Sequence, residues 1–191
     1  MSTPTEQPGP TQTYEQARDE LADVVRRLEA GGLTLEESLA LWERGEQLAD
    51  VCQHWLTQAR ERLAAEQAGY PVVAPAGLPA GYRPTSARTD AVPDRTGQPV
   101  TLQIGYVTPS EEFAGFVVSD DLKADAVTSV LDGAAQRGTV DLGGTSWTRS
   151  TDARGETVLS RQDGDVVVLV SGSAKEQELE TVARGVRPYP G

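Results

Sequence analysis

Residues 14–66, YEQARDELADVVRRLEAGGLTLEESLALWERGEQLADVCQHWLTQARERLAAE, decide the fold. They read as one helical hairpin with arms of unequal length. Thr13 and Gln16 form a capping box, with Thr13 as the N-cap and Gln16 three residues in. Tyr14, Ala17, Leu21, Val24 and Leu28 then follow at helical spacing, and Gly31-Gly32 ends the first arm. Thr34 and Glu37 form a second capping box, and no stop appears before Gly69. On this second arm Leu35, Trp42, Ala49, Leu56 and Leu63 recur every seven residues, with Leu39, Gly45, Cys52 and Ala59 between them. Leu41, Leu48 and Trp55 make an adjacent apolar line. A seam plus a flanking line is wider than a two-stranded coiled coil needs, so contacts on two sides are expected. Gly45, which inside a helix costs about 1 kcal/mol relative to alanine, reads as a site of close backbone approach or as a small residue opposite Leu21.

The arms differ in reach. The first is about 17 residues, or ~26 Å, and the second about 33 residues, or ~50 Å, at the rise of an α-helix. Paired antiparallel through the turn at residues 31–34, the first covers the second only to about Val51. Beyond it lies an apolar overhang that needs cover. Cys52, Trp55, Leu56, Ala59 and Leu63 lie on this overhang, and with Leu48 just before it they are the expected partner-binding residues. The alternative is that the rest of the chain folds back over them.

Outward from the hairpin the composition changes. Residues 1–12 are rich in proline, threonine and glutamine and read as disordered. Residues 13–67 form the hairpin domain and residues 68–98 a Pro/Gly-rich linker. Residues 99–187 carry β signals: strands are expected at 100–108, 113–119, 139–142, 146–151, 157–162 and 166–171, with helices at 122–131 and 174–184. Asp163-Gly164 between two β runs is a strong hairpin signal. The fold class is α+β overall: an all-α hairpin, then a small α+β domain with a mostly antiparallel sheet.

The charge balance disfavours autonomous nucleic-acid binding. The net charge is −12, and the sequence pI is about 4.5. Residues 1–67 carry 6 Lys/Arg against 13 Asp/Glu, and residues 68–191 carry 11 against 16, so neither half is basic. One cysteine, Cys52, excludes an intrachain disulfide. The first residues lack the basic and apolar regions of a signal peptide, and no run approaches a membrane span, so a cytoplasmic location without membrane contact is expected. His54 and Cys52 are two apart and point to different helix faces; Cys52 reads as a small core residue and His54 as an exposed one. The adjacent carboxylates Glu36-Glu37, Glu111-Glu112 and Asp120-Asp121 diverge and read as surface or helix-terminal charge. Gly143-Gly144 reads as a turn. No catalytic, cofactor-binding or metal-ligating residue is assigned.

The helix 1 pattern around Leu21-Ala22, Val24-Val25 and Leu28-Glu29, then Gly32-Leu33, Leu35-Glu36-Glu37-Ser38-Leu39, Gly45 and Cys52, resembles the small subunit of exodeoxyribonuclease VII. The resemblance covers residues 14–63. It implies an accessory subunit that binds a catalytic large subunit, in a complex that degrades single-stranded DNA to oligonucleotides. The small subunit supplies no catalytic residue, so none is carried over, and DNA is met only through the complex. Further copies of the chain are possible partners. Residues from about Gly81, including PAGYRPTSARTD, LQIGYVTPSEEFAGFVVSD, GGTSWTR and VVVLVSGSAKEQELETVA, resemble an uncharacterised domain family of high-GC bacteria. Its members often follow a membrane anchor, and the hairpin stands in that place here. The expected function is that of the exonuclease's accessory subunit. The alternative is a non-nuclease adaptor whose hairpin oligomerises or anchors a ligand- or protein-binding domain.

Overall fold

A computed structural model of the chain describes residues 11–189. Most of the N-terminal stretch expected to be disordered, residues 1–10, lies outside the described residues. The chain divides into two compact units, with the boundary between Leu56 and Thr57.

The first unit is the hairpin. Helix α1 spans Tyr14–Ala30 and helix α2 spans Leu35–Gln67. Both capping boxes form. The Gln16 N–H donates to Thr13 Oγ1 (3.3 Å) while Gln16 Oε1 accepts from the Thr13 N–H (3.1 Å). The Glu37 N–H donates to Thr34 Oγ1 (3.2 Å), and the Glu37 carboxylate accepts from the Thr34 N–H (2.8 Å) and hydroxyl (2.9 Å). Gly31 and Gly32 take positive φ (67° and 77°), which a turn this tight requires. Ala17, Val24, Leu41 and Leu48 form the buried core of the pair, flanked by Leu21, Leu28, Leu33, Val51 and Cys52. Arg44 of α2 reaches across to Glu20 of α1 with two parallel hydrogen bonds, Nε to Oε1 at 2.7 Å and Nη2 to Oε2 at 2.9 Å.

The second unit takes in the last turns of α2 and everything after them. Its strands are β1 (Val73–Pro75), β2 (Arg83–Thr89), β3 (Thr101–Val107), β4 (Phe113–Ser119), β5 (Ala135–Asp141), β6 (Ser146–Thr151), β7 (Thr157–Asp163), β8 (Val166–Gly172) and β9 (Val186–Pro188). Its helices are α3 (Asp125–Leu131) and α4 (Glu176–Gly185). Seven strands make one antiparallel sheet in the order β2-β3-β4-β8-β7-β6-β5, and β1 pairs with β9 alone. The outermost strands each shift register once, β2 between Pro84 and Ser86 and β5 between Gln136 and Gly138.

Alternation along the strands creates two faces. One carries Leu102, Ile104, Phe116, Val118, Trp147, Leu159, Val168 and Val170 and packs against Leu179, Val182 and Ala183 of α4 and against Ala64 of α2. Arg149 of β6 pairs with Glu176 (2.7 Å) and Glu180 (3.0 Å) of α4 over this core. The other face is covered in part by α3, whose Val127 packs on Val117, Val167 and Leu169. The β7–β8 hairpin forms at the Asp163-Gly164 signal, with Gly164 at φ 64° as the first of two loop residues.

Structure and sequence differ in places. Strands β1 and β2 lie in the Pro/Gly-rich stretch read as linker. Helix α3 begins at Asp125 rather than near residue 122, because Asp121 Oδ1 accepts the Lys123 N–H (2.9 Å) and holds that segment in a turn. Strand β5 begins at Ala135, four residues earlier than its apolar pattern indicates.

Candidate docking surface of the hairpin

Helix α1 carries one apolar stripe, so it covers one of the two apolar lines on α2. The covered line is the flanking one: Leu48 is fully buried, Leu41 nearly so. The heptad seam is left outward at its start. Leu35 is 86% exposed, Leu39 57% and Trp42 61%, and Ala49 is exposed as well. These residues stand at i, i+4 and i+7 on one face of the helix. Three large apolar side chains grouped in water are unusual for a surface meant to stay in solvent. Burying either leucine would contribute on the order of 1.5–3 kcal/mol. The apolar spacing located the line; the exposure became legible only once α1 had chosen its side.

The structure places the residues expected from the sequence in three environments. Leu48 belongs to the hairpin's own core. Cys52, Trp55 and Leu56 are half-buried. The Trp55 indole N–H donates to the Gln12 carbonyl (3.0 Å), and Gln12 Nε2 donates to Glu20 (2.9 Å), so this side chain ties the segment ahead of α1 to α2. Ala59 is exposed and Leu63 half-buried, and both fall in the second unit. His54, read as exposed, is half-buried, its ring edge-on to Trp55 with centroids 6.2 Å apart.

Burial pushes the Cys52 thiol up and the His54 imidazole down, so both favour their neutral forms. Hydrogen bonds from Arg44 and Gln12 hold the Glu20 carboxyl below its usual range, and the Thr34 cap does the same for Glu37. Among the described residues, no group of three His, Cys, Asp or Glu side chains is placed to hold a metal ion. No helix among them is long and apolar enough to cross a membrane.

The hairpin thus buries one apolar line of α2 in its own core and leaves the start of the other exposed. Residues 14–65 match the family described as exonuclease VII small subunit, and residues 53–186 match one described as protein of unknown function, DUF4245. The exodeoxyribonuclease 7 small subunit of Streptomyces avermitilis is 79% identical over 52 residues, which are 27% of this chain and 65% of that protein. The one from Cutibacterium acnes is 57% identical over 65 residues (34% of this chain, 83% of the relative). The one from Beutenbergia cavernae is 54% identical over 88 residues (46% and 94%). The chain spans about two thirds of the Streptomyces avermitilis protein and nearly all of the Beutenbergia one. No solved structure matches the chain. The chain belongs to the exonuclease VII small subunit family through its hairpin and to the DUF4245 family through the remainder.

Proposed function

We propose that this chain is an accessory subunit of exodeoxyribonuclease VII, docking through α2 on a catalytic large subunit that degrades single-stranded DNA. The observation that carries the reading is the outward stripe of Leu35, Leu39 and Trp42 on a hairpin of the small-subunit family. Leu56, one heptad beyond Ala49, continues the same line and is part of the proposed surface. Half-buried Cys52 and Trp55 support it from the side facing α1, and Ala59 and Leu63 extend the apolar spacing further along the helix. The chain contributes association and no catalytic group. Its net charge of −12 opposes direct contact with DNA, which it meets through the complex.

The test is co-expression with an exodeoxyribonuclease VII large subunit, followed by affinity capture and mass measurement of the complex. Leu39→Asp with Trp42→Asp puts charge on two of the stripe's three large side chains without touching the hairpin core. Loss of the large subunit from the captured complex, with helicity retained by circular dichroism, is the expected result. Capture at wild-type yield by that double variant overturns the assignment of this face. Trp55→Asp with Leu56→Asp, tested alongside, reports whether the later positions contribute.

A further inference from the structure

On the sheet face that carries α3, four successive strands bring their smallest side chains into one cross-strand row. Ser86 of β2 pairs with Gly105 of β3, Gly105 with Gly115 of β4, and Gly115 with Ser171 of β8. The seven-residue α3 packs on neighbouring rows, and a groove of about 540 Å³ remains above this one. That volume lies in the range of small-molecule sites, roughly 300–1,000 Å³.

The glycines are the seat of an aromatic ring. A Cβ on Gly105 or Gly115 would come within 2.9 or 3.1 Å of Phe113 ring carbons, so the ring rests where side chains would otherwise stand. Its outer surface stays open, and Phe113 is 48% exposed. The backbone beneath is held on both sides: the Phe113 N–H donates to Ser173 Oγ (3.2 Å), and its carbonyl accepts from the Ala174 N–H (3.0 Å). A fixed flat aromatic surface thus forms one wall of the groove. Arg88, Arg154, Glu156 and Ser129 stand around it. Arg154 is engaged by Asp152 (3.2 Å) and more distantly by Glu156 (3.9 Å). Arg88 sits in the edge strand's ladder opposite Gln103, and its guanidinium has no ion pair or hydrogen bond among the described residues.

A guanidinium without a partner binds a carboxylate, sulfonate or phosphate in its planar fork, and a seated ring stacks on a planar one. We propose that this groove binds a small planar aromatic anion, its ring against Phe113 and its acid group on Arg88. The Glu156 carboxylate at the same groove favours a single negative charge over several. The inference is independent of the nuclease reading, since every residue it uses lies in the second unit.

The test titrates the full chain with 1-anilinonaphthalene-8-sulfonate by fluorescence, with calorimetry for stoichiometry and neutral N-phenyl-1-naphthylamine as comparator. Arg88→Gln removes the charge, and Ser129→Trp fills the mouth from an exposed helical position. One saturable site per chain is expected. Arg88→Gln should weaken it about tenfold, the typical effect of one lost charge-assisted hydrogen bond. Ser129→Trp should abolish it, and the neutral probe should bind at least about tenfold more weakly than the anion on the same ground. Absence of a saturable site, unchanged affinity in either variant, or equal affinity for the neutral probe overturns the proposal. Thermal unfolding of each variant confirms that the fold is kept.

Discussion

Glu61 lies on the late turns of α2 and shows how burial of one residue sets a pH dependence for the fold. Burial pushes its carboxyl up to about 7, and its proximity, after burial itself, helps to raise the Tyr106 hydroxyl. The ordinary value is 4.5, so between 4.5 and 7 the unfolded chain releases a proton that the folded chain keeps. This group's contribution is therefore fully present below the unfolded value and is lost as pH rises towards the folded one. Denaturant unfolding at pH 5 and pH 8 should show a lower midpoint at pH 8, and Glu61→Gln should flatten that difference. Carboxyls held low work in the opposite sense at more acidic pH: Glu178, which accepts from the Ser110 hydroxyl (2.6 Å) and N–H (3.1 Å), loses its contribution as pH falls. Gly45 gives a second test at this scale. A Cβ there would meet Val24 Cγ1 at 3.5 Å and Leu21 Cδ1 at 3.9 Å, ordinary contact distances in the hairpin core. Gly45→Ala should stabilise the hairpin by up to about 1 kcal/mol, read from its helical melt.

Among the elements, the two apolar lines of α2 predict contrasting substitutions. Leu48→Ala should destabilise by about 2.7–5 kcal/mol, the range for a fully buried leucine. Leu35→Ala, at 86% exposure, should stay within about 0.5 kcal/mol in the isolated chain. Thermal unfolding followed at a helical wavelength separates the two. Both helices were legible because Thr13, Gln16, Thr34 and Glu37 write their starts locally and the glycines write the turn. Which apolar line faces α1 was not legible: spacing gives both lines equal claim, and the choice is a matter of packing between helices. Strands β3, β4, β6, β7 and β8 were legible through β-branched residues and alternation. Strand β2, RPTSART, has no apolar run; its form comes from pairing with β3, which a local reading does not contain. The three-residue β1 and β9 exist through each other for the same reason. The candidate groove was equally hidden, since Ser86, Gly105, Gly115 and Ser171 are scattered in sequence and meet only through register.

At the scale of the whole molecule, charge and core give two expectations. The full chain alone should leave single-stranded DNA intact with or without Mg²⁺, and anisotropy at physiological salt should detect no submicromolar binding, since −12 of net charge opposes it. Trp147 is fully buried, with the Arg161 guanidinium 5.2 Å from its ring centroid. Trp147→Ala should destabilise the second unit by about 3–5 kcal/mol, monitored by calorimetry. The register shifts in β2 and β5 bear on a different hazard. Among the described residues the seven-stranded sheet ends in two edge strands, β2 and β5, and an edge strand is a template for pairing with another chain. Pro84 removes one donor from the first edge, and the interruption at Gly138 (φ 145°) breaks the straightness of the second. Deleting Arg137, the residue left over at that interruption, should straighten β5 and give thioflavin-positive aggregation at concentrations where the parent chain stays clear. These irregular margins work against pairing of the sheet edges between neighbouring molecules.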